Sequence, residues 1–176
     1  MCLTEWVSGD RSAIAEWEYG ITPNDSIAYH KVYRQTQLLW SENDQQTEYG
    51  DWYWATDNVP SLTFESGFAD DVREAFIASG ALGNTNDTNY RAISDSYPTF
   101  GFALDLGSVE STAVSTLFTL GLTQEQAVQF DGANGDVSVP SLWTSYMATE
   151  LDAVSFVVDR YEMVKLTCHL VIVFPH

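Results

Sequence analysis

The sequence predicts a mainly β protein with antiparallel strands, in which the β segments precede one long C-terminal amphipathic helix. Aromatic residues make up 14% of the 176-residue chain, and large aromatic side chains suit the pleated surface of a sheet. Before about residue 130, several segments alternate between apolar and polar residues, as half-buried strands do. After about residue 140, apolar residues recur at helical spacing.

Two alternating segments at the start predict an antiparallel hairpin. In Arg11–Tyr19, Trp17 lies on the apolar face, opposite a face that carries glutamates. Gly20–Asp25 is rich in turn residues, and Ser26–Gln37 alternates again, with His30 on one of its faces. Because a short polar loop joins the two segments, we expect them to pair with each other.

The next part of the chain predicts two further strands separated by loops. Leu38–Asp51 is mostly polar and is expected to be a loop with one helical turn. Trp52–Ala55 is apolar and short, as a buried strand is, and Asp57–Pro60 forms a turn. Ser61–Phe68 then alternates and predicts another strand.

The segment Asp70–Ile77 is ambiguous between helix and strand. Helical spacing would align Val72 with Phe76, whereas strand spacing would align Val72, Glu74 and Phe76 on one face. We favour a strand, because Gly67 and Gly80 bracket the segment closely.

Three more strands are predicted before residue 130. Gly80–Asn89 is a loop rich in Asn and Gly, and Thr99–Leu106 is an apolar strand. Ser111–Leu122 alternates clearly, and Ala127–Phe130 is a further short strand. Residues 1–130 are therefore interpreted as a β domain.

A linker and a helix are predicted to follow. Asp131–Pro140 contains the flexible pair Asn134-Gly135, and Pro140 can open a helix. Ser141–Glu162 carries one apolar stripe and is predicted to be a single amphipathic helix that belongs to a separate helical element. Residues 163–176 break this pattern and are interpreted as a divergent tail.

The charge balance limits the classes of partner. The chain has 7 Lys and Arg against 25 Asp and Glu, a net charge of −18. Such a surface repels phosphate groups, so we expect neither nucleic acid nor an anionic membrane as a partner. The N-terminal residues do not resemble a signal peptide, and no apolar run approaches the length of a membrane span.

The cysteine and asparagine patterns leave two questions open. Cys2 and Cys168 lie near opposite ends, and their number alone does not establish a disulfide. No Cys and His cluster predicts a structural zinc site. Asn24 and Asn86 stand in glycosylation motifs, which matter only if the protein is secreted.

Five unusual strings occur in order along the chain: Glu5–Asp10 (EWVSGD), Arg91–Asp95 (RAISD), Phe100–Ala103 (FGFA), Asp105–Ser108 (DLGS) and Thr144–Phe156 (TSYMATELDAVSF). Together they resemble the fungal secreted glutaminase A-like family. The resemblance extends to about Tyr161 and implies an antiparallel β-sandwich-like N-terminal domain, of which residues 1–130 would be the later, incomplete part, followed by a domain of six helical hairpins. It places 141–162 as the first helix of that second domain, whose remainder would be the partner of this chain.

The reaction implied by this resemblance is hydrolysis of L-glutamine to L-glutamate and ammonia, in an extracellular protein. Such a reaction needs an activated nucleophile or water and a group that stabilises the oxyanion. The sequence has neither a GxSxG nor an SxxK motif. His30 has no Ser or Cys at a motif spacing, and we interpret it as a core or surface residue.

The catalytic residues therefore remain unknown, with Glu150 as a weak candidate. Glu150 is an acid on the predicted helix, and an interdomain hydrogen bond or an exposed position is the favoured alternative. We interpret Arg91 as a structural residue paired with Asp95 or Asp105, since Asp side chains commonly cap turns. No cofactor is expected.

Two binding alternatives are weaker. The loop Asn84–Asp87, with Asp131 and Asp136, could supply oxygen ligands to calcium, but no EF-hand spacing occurs, so we expect no metal. The indole groups of Trp40, Trp52 and Trp54 could stack a sugar, although core packing is favoured.

Three hypotheses follow for the chain. The first is a truncated glutaminase-like protein whose β domain supports catalysis without performing it. The second is a β module that binds a carbohydrate or another small ligand. The third is a non-functional fragment whose tail arises from an incorrect gene structure.

Overall fold

A computed structural model describes residues 9–109 and 116–160. Several predicted features lie outside the described residues. They are the Cys2–Cys168 pair, the string at Glu5–Ser8, the start of the segment Ser111–Leu122, the end of the predicted helix and the tail 163–176. Along the described residues run the strands β1 (Ile14–Ile21), β2 (Ile27–Arg34), β3 (Glu42–Asn43), β4 (Gln46–Thr47), β5 (Asp51–Asp57) and β6 (Leu62–Phe68), the helix α1 (Ala69–Ser79), the strands β7 (Arg91–Ala92), β8 (Pro98–Leu104), β9 (Phe118–Thr123), β10 (Gln126–Gly132) and β11 (Gly135–Pro140), and the helix α2 (Glu150–Asp159).

The centre of the fold is a five-stranded antiparallel sheet with the order β7-β1-β2-β5-β9. The predicted hairpin of the first two strands is confirmed, with Trp17 opposite Val32 and Tyr19 opposite His30. Because side chains alternate across a sheet, each strand presents one set of residues to each face. Both faces of this sheet are covered.

The first face packs against the two-stranded sheet of β6 and β8, which gives a sandwich-like arrangement. Trp17 and Val32 from the central sheet contact Phe100 from β8, and Ile93 closes the same core. Tyr19 stacks on Phe64 of β6 with ring centroids 3.4 Å apart. Antiparallel β-sandwich-like packing is thus confirmed.

The opposite face carries the C-terminal helix α2. Val154 and Val158 pack on Ile27, Tyr29 and Ala55 of the sheet. Burial of two such valines contributes about 3–5 kcal/mol of apolar transfer free energy. A mainly β domain with one C-terminal helix against it is therefore confirmed.

The segment Asp70–Ile77 is helical, and our preference for a strand was wrong. α1 ends at Gly80, which adopts the left-handed conformation (φ 71°) and donates its backbone N–H to the carbonyl of Phe76. A glycine in this position is a common helix terminator. The glycine that we took as a strand boundary is thus the C-terminal cap of a helix, and Ala69 and Val72 are the residues that this helix buries.

The segment 38–51 contains a small hairpin instead of a helical turn. β3 and β4 pair with Glu42 opposite Thr47. Asp44 and Gln45 form the connection, and both have positive φ angles, as the two central residues of a type I′ turn require.

The end of the chain differs from the prediction in two ways. Residues 126–140, the second part of which we expected to be a linker, form the hairpin of β10 and β11, with Gly132 opposite Gly135. The predicted helix from Ser141 is divided into a 3₁₀ turn at Leu142–Ser145 and α2. Whether these segments join two domains stays a prediction.

A capping box at Thr149 explains why the helix begins late. The Thr149 hydroxyl accepts a hydrogen bond from the backbone N–H of Asp152, and the Asp152 carboxylate accepts one from the backbone N–H of Thr149. This reciprocal pair satisfies two backbone donors at a helix start. No helix in the described ranges has the length and apolar character needed to cross a membrane.

Candidate functional site

Four polar side chains meet where the N-terminus of α2 lies on the central sheet. Lys31 comes from β2, Asp51 and Tyr53 come from β5, and Glu150 is the first residue of α2. The Lys31 Nζ lies 2.7 Å from Asp51 Oδ2 and 3.3 Å from Glu150 Oε2. The Tyr53 hydroxyl donates to Glu150 Oε2 at 2.8 Å. We call these four residues the Lys31 network.

The strand register explains how the network assembles. Lys31 is directly opposite Tyr53 in the antiparallel pair, and the next residue on the same face, Tyr33, is opposite Asp51. The Lys31 Nζ lies 5.4 Å from the Tyr33 ring centroid and 5.6 Å from that of Tyr53. Both rings therefore hold the ammonium group by cation–π attraction.

The two carboxylates of the network have pKa values that move in opposite directions. Burial raises the pKa of Asp51, and the nearby Glu150 carboxylate adds to this, so that the Lys31 ammonium only partly compensates. Burial would also raise the pKa of Glu150, but the hydrogen bond from Tyr53 and the charge of Lys31 outweigh it and the pKa is lowered. Two neighbouring carboxyl groups with divergent pKa values are a feature of acid–base sites.

The same contacts also raise the pKa values of the two proton donors in the network. Burial would lower the pKa of Lys31, but its bonds to Asp51 and Glu150 outweigh that effect and raise it. Burial and the hydrogen bond to Glu150 raise the pKa of the Tyr53 phenol. Lys31 thus stays a cation and Tyr53 a neutral donor at physiological pH, and Glu150 Oε2 accepts from both.

Replacing Lys31 by Met should destabilise the fold by about 2 kcal/mol, because it leaves two half-buried carboxylates without their cation. The estimate lies below that for a fully buried pair, since the side chains of Lys31 and Glu150 are each 20% exposed. Urea unfolding of the purified chain measures the change. Arg73→Met is the matched control, because it removes a surface pair with Asp70 and should cost less than about 0.5 kcal/mol. Equal losses in the two variants would contradict the role of the network.

Glu150 was identified from the sequence, whereas Lys31, Asp51 and Tyr53 were not. One signal was present, since Lys31 lies within the segment Ile27–Val32, whose other residues are buried, and a charged group there needs partners. The identity of those partners depends on the pairing of β2 with β5 and on the position of α2, which are long-range features.

His30 lies in the core, as one of our two interpretations stated. The side chain is fully buried, among the rings of Tyr19, Phe64 and Phe102. Its Nε2 lies 3.1 Å from the carbonyl oxygen of Gly101. A carbonyl can only accept, so Nε2 carries the proton, and Nδ1 has no hydrogen-bond partner among the described residues.

Arg91 is structural, but its carboxylate partner is neither Asp95 nor Asp105. Its Nη1 donates to Asp87 Oδ2 at 2.5 Å, and its Nε donates to the backbone carbonyl of Asp95 at 3.2 Å. Asp105 instead accepts from the backbone N–H of Gly107 in a turn, as expected for an Asp side chain next to a strand.

The oxygen atoms proposed for calcium have other partners. Asn84 Oδ1 accepts from the backbone N–H of Phe64, and Asn86 Oδ1 accepts from the hydroxyl of Ser66. The loop therefore fastens itself to β6. Asp131 and Asp136 lie opposite each other in the hairpin of β10 and β11. Across the described part of the chain, no group of His, Cys, Asp and Glu has the geometry of a metal site.

The aromatic group proposed for sugar stacking is used mainly in packing. Trp52 and Trp54 pack against the core cluster that contains Trp17, Val32 and Phe100. Trp54 also stacks on Phe118, with ring centroids 5.4 Å apart. Trp40 meets the ring of Tyr49 edge to face at 5.6 Å. These contacts leave each indole partly covered.

An apolar groove of about 240 Å³ lies beside the Lys31 network, between β9 and α2. Tyr53 contributes to both the groove and the network, and Trp143, Val154 and Val157 form the helical side. The arrangement thus combines a charged cluster with an apolar cleft at a helix–sheet junction.

The fold defines the class of this protein. Its central antiparallel sheet carries a second, small sheet on one face, and on the other face a helix that the Lys31 network holds in place. The chain belongs to the family described as a domain of unknown function (DUF5127), whose family model matches residues 2–170.

The curated relatives carry more specific names. The chain is 55% identical over 153 residues to "Glutaminase A" of Aspergillus oryzae (strain ATCC 42149 / RIB 40), a match that covers 86% of this chain and 22% of that protein. It is 26% identical over 177 aligned positions to "Probable glutaminase/05536" of Arthroderma benhamiae (strain ATCC MYA-4681 / CBS 112371), which covers 94% of this chain and 20% of that protein. The resemblance to the glutaminase A-like family is thereby confirmed. The chain spans about a fifth of the length of these relatives, and no solved structure matches it.

Proposed function

We propose that this chain is part of a glutaminase A-like amidohydrolase, and that its β domain supports the hydrolysis of L-glutamine to L-glutamate and ammonia without performing it. The relatives with the names quoted above support the reaction class. Their length supports a role for this chain as one part of a larger enzyme. By the same relationship, we propose an extracellular location.

The observation that carries the supporting role is the engagement of Glu150. A general base must present a free lone pair to its substrate within hydrogen-bond distance. Glu150 Oε2 accepts from both Lys31 and Tyr53. Against the effect of burial, these contacts lower the pKa of the carboxyl group, which makes Glu150 a weak base. The carboxylate that we singled out as a candidate catalyst is thus used to fasten α2 to the sheet.

The purified chain should release no ammonia from L-glutamine above the rate of a protein-free blank. The reason is that the charged groups of its candidate site are bonded to one another and His30 is sealed in the core. A coupled glutamate and ammonia assay measures the rate, with Aspergillus oryzae glutaminase A as the positive control. Turnover above the blank that disappears in Glu150→Gln would refute the proposal and restore Glu150 as a catalytic residue.

The carbohydrate-binding alternative makes a different prediction for the same sample. Sugar-stacking platforms expose one face of an indole ring, whereas Trp17 is buried, Trp52 and Trp54 pack against the core, and Trp40 packs against the ring of Tyr49. Titration with oligosaccharides while tryptophan fluorescence is followed should therefore give no saturable change, and a saturable change would favour the binding module.

A further inference from the structure

The hairpin of β10 and β11 has an apolar face that nothing in the described structure covers. Val128 is opposite Val139, and Phe130 is opposite Val137. Cross-strand partners point to the same face of a hairpin, so these four side chains form one patch, which we call the hairpin face. They are 52%, 39%, 49% and 43% exposed, in the order in which they are named.

The other face of the hairpin is polar, so the large apolar side chains are confined to one face. Gln129 is opposite Ser138, and Asp131 is opposite Asp136. All six residues of β11 are exposed. A strand that alternates so regularly is expected to bury its apolar side against something. An isolated two-stranded hairpin is also only marginally stable in water, so a covering surface would stabilise it.

A second copy of this chain is a poor candidate for that cover. Each copy carries a net charge of −18, and like-charged molecules repel when they approach. Within the hairpin, Asp131 and Asp136 add two acids on the opposite face. A partner that presents apolar side chains with basic groups around them would fit this face better.

The length of the relatives indicates where such a partner comes from. The matched region is 22% of the Aspergillus oryzae protein and 20% of the Arthroderma benhamiae protein, so most of either relative lies outside it. The segment directly after the hairpin adds to the uncovered apolar surface, because Leu142 and Tyr146 are 74% and 78% exposed.

We propose that the hairpin face of Val128, Phe130, Val137 and Val139 is a docking surface for the polypeptide that the glutaminase relatives carry outside the matched region. The contact is intramolecular in a protein of the relatives' length, and the hairpin then holds the β domain against the remainder of the enzyme. This inference rests on the proposed function only in treating the chain as part of a longer glutaminase-like protein.

The test compares the chain alone with a hybrid, in which the chain replaces the matching region of Aspergillus oryzae glutaminase A. Hydrogen–deuterium exchange is measured for the amides of residues 126–140 in both. We expect exchange to be at least tenfold slower in the hybrid, because the docked hairpin opens less often. Equal exchange in the two proteins would overturn the proposal.

Two matched variants assign any protection to the hairpin face. Phe130→Ser should restore fast exchange in the hybrid and leave the chain alone unchanged, because Phe130 is exposed there. Gln129→Ser, on the polar face, should change neither protein. Equal effects of the two variants in the hybrid would contradict the assignment. If the hybrid does not fold, the aligned segment of the Aspergillus oryzae protein itself is measured in the same way, and fast exchange there would overturn the proposal.

Two further readouts separate this inference from its alternatives. Protection that appears in the chain alone as its concentration rises, together with a doubled mass in light scattering, would overturn it in favour of a second copy. Ammonia release by the unsubstituted hybrid tests the proposed function independently. A protected hairpin without ammonia release would uphold docking and refute the glutaminase function, and ammonia release with an unprotected hairpin would do the reverse.

Discussion

Acidification from pH 7 to pH 4 should remove about 3 kcal/mol of folding free energy through His30 alone. The cause is burial, which lowers the pKa of this imidazole to about 4, whereas the hydrogen bond to the Gly101 carbonyl compensates only in part. The unfolded chain exposes the same imidazole to water, where its pKa is about 6.5.

The sign follows from which state binds the proton. Between pH 6.5 and pH 4 the unfolded chain protonates His30 while the folded chain keeps it neutral. Proton uptake therefore favours unfolding in this window. The contribution of His30 to stability is fully present above pH 6.5 and falls as the pH decreases. It is lost once the pH passes through the pKa of His30 in the folded state. For a chain with a typical stability of about 5–15 kcal/mol, this loss is substantial.

Urea unfolding at half-unit pH steps measures this effect, and His30→Gln isolates it. Glutamine does not titrate, yet its side-chain amide can still donate to the Gly101 carbonyl. The difference in unfolding free energy between wild type and His30→Gln should change by about 3 kcal/mol between pH 7 and pH 4. All other titrating groups are present in both proteins, so their effects cancel. Parallel curves for the two proteins would show that His30 is accessible to protons in the folded state.

The position of His30 illustrates which parts of the fold local sequence could predict. Alternation in Arg11–Tyr19 and Ser26–Gln37 predicted two strands, their pairing and the face on which His30 lies. Strand period and turn residues act over a few neighbouring residues, so the sequence carries this information directly. That the opposing sheet of β6 and β8 would bury His30 depends on contacts about seventy residues away.

Two of the errors in the prediction arose at glycines. Gly80 was taken as a strand boundary but caps α1, and Gly135 was taken as a flexible linker residue but closes the hairpin with φ 111°. An Asn-Gly pair before alternating residues is also a hairpin signal, although in this hairpin Gly135 pairs with Gly132 and the connection is Ala133 and Asn134. Because glycine permits several conformations, it marks a change of direction without specifying the element on either side.

The candidate site was less predictable than the fold. Glu150 was identified from its place on an expected helix, but its partners come from β2 and β5 and meet it only after the sheet and α2 are assembled. The Thr149–Asp152 capping box was a local signal for the true start of α2. A short-range motif therefore fixes where Glu150 begins the helix, whereas the charge network depends on tertiary structure.

Replacing Arg91 by Met should destabilise the fold by about 3 kcal/mol, because it leaves the carboxylate of Asp87 with no cation in a partly buried site. The Arg91 side chain is only 4% exposed and that of Asp87 17%. The guanidinium also lies 4.3 Å from the Phe68 ring centroid and 5.3 Å from that of Trp17, so cation–π contacts are lost as well. Met retains much of the side-chain length, which keeps the loss of packing small.

A series of Asp variants decides between the structure and the partner expected from sequence. Asp87→Asn should cost about 1–2 kcal/mol, because it removes the charge that pairs with Arg91. Asp95→Asn should stay within about 0.5 kcal/mol, since Arg91 contacts only the backbone carbonyl of Asp95. Asp105→Asn should be equally mild, because an amide oxygen can still accept from Gly107. Urea unfolding at pH 7 ranks the four variants, and an Asp95 or Asp105 variant as costly as Asp87→Asn would show that Arg91 pairs as the sequence had indicated.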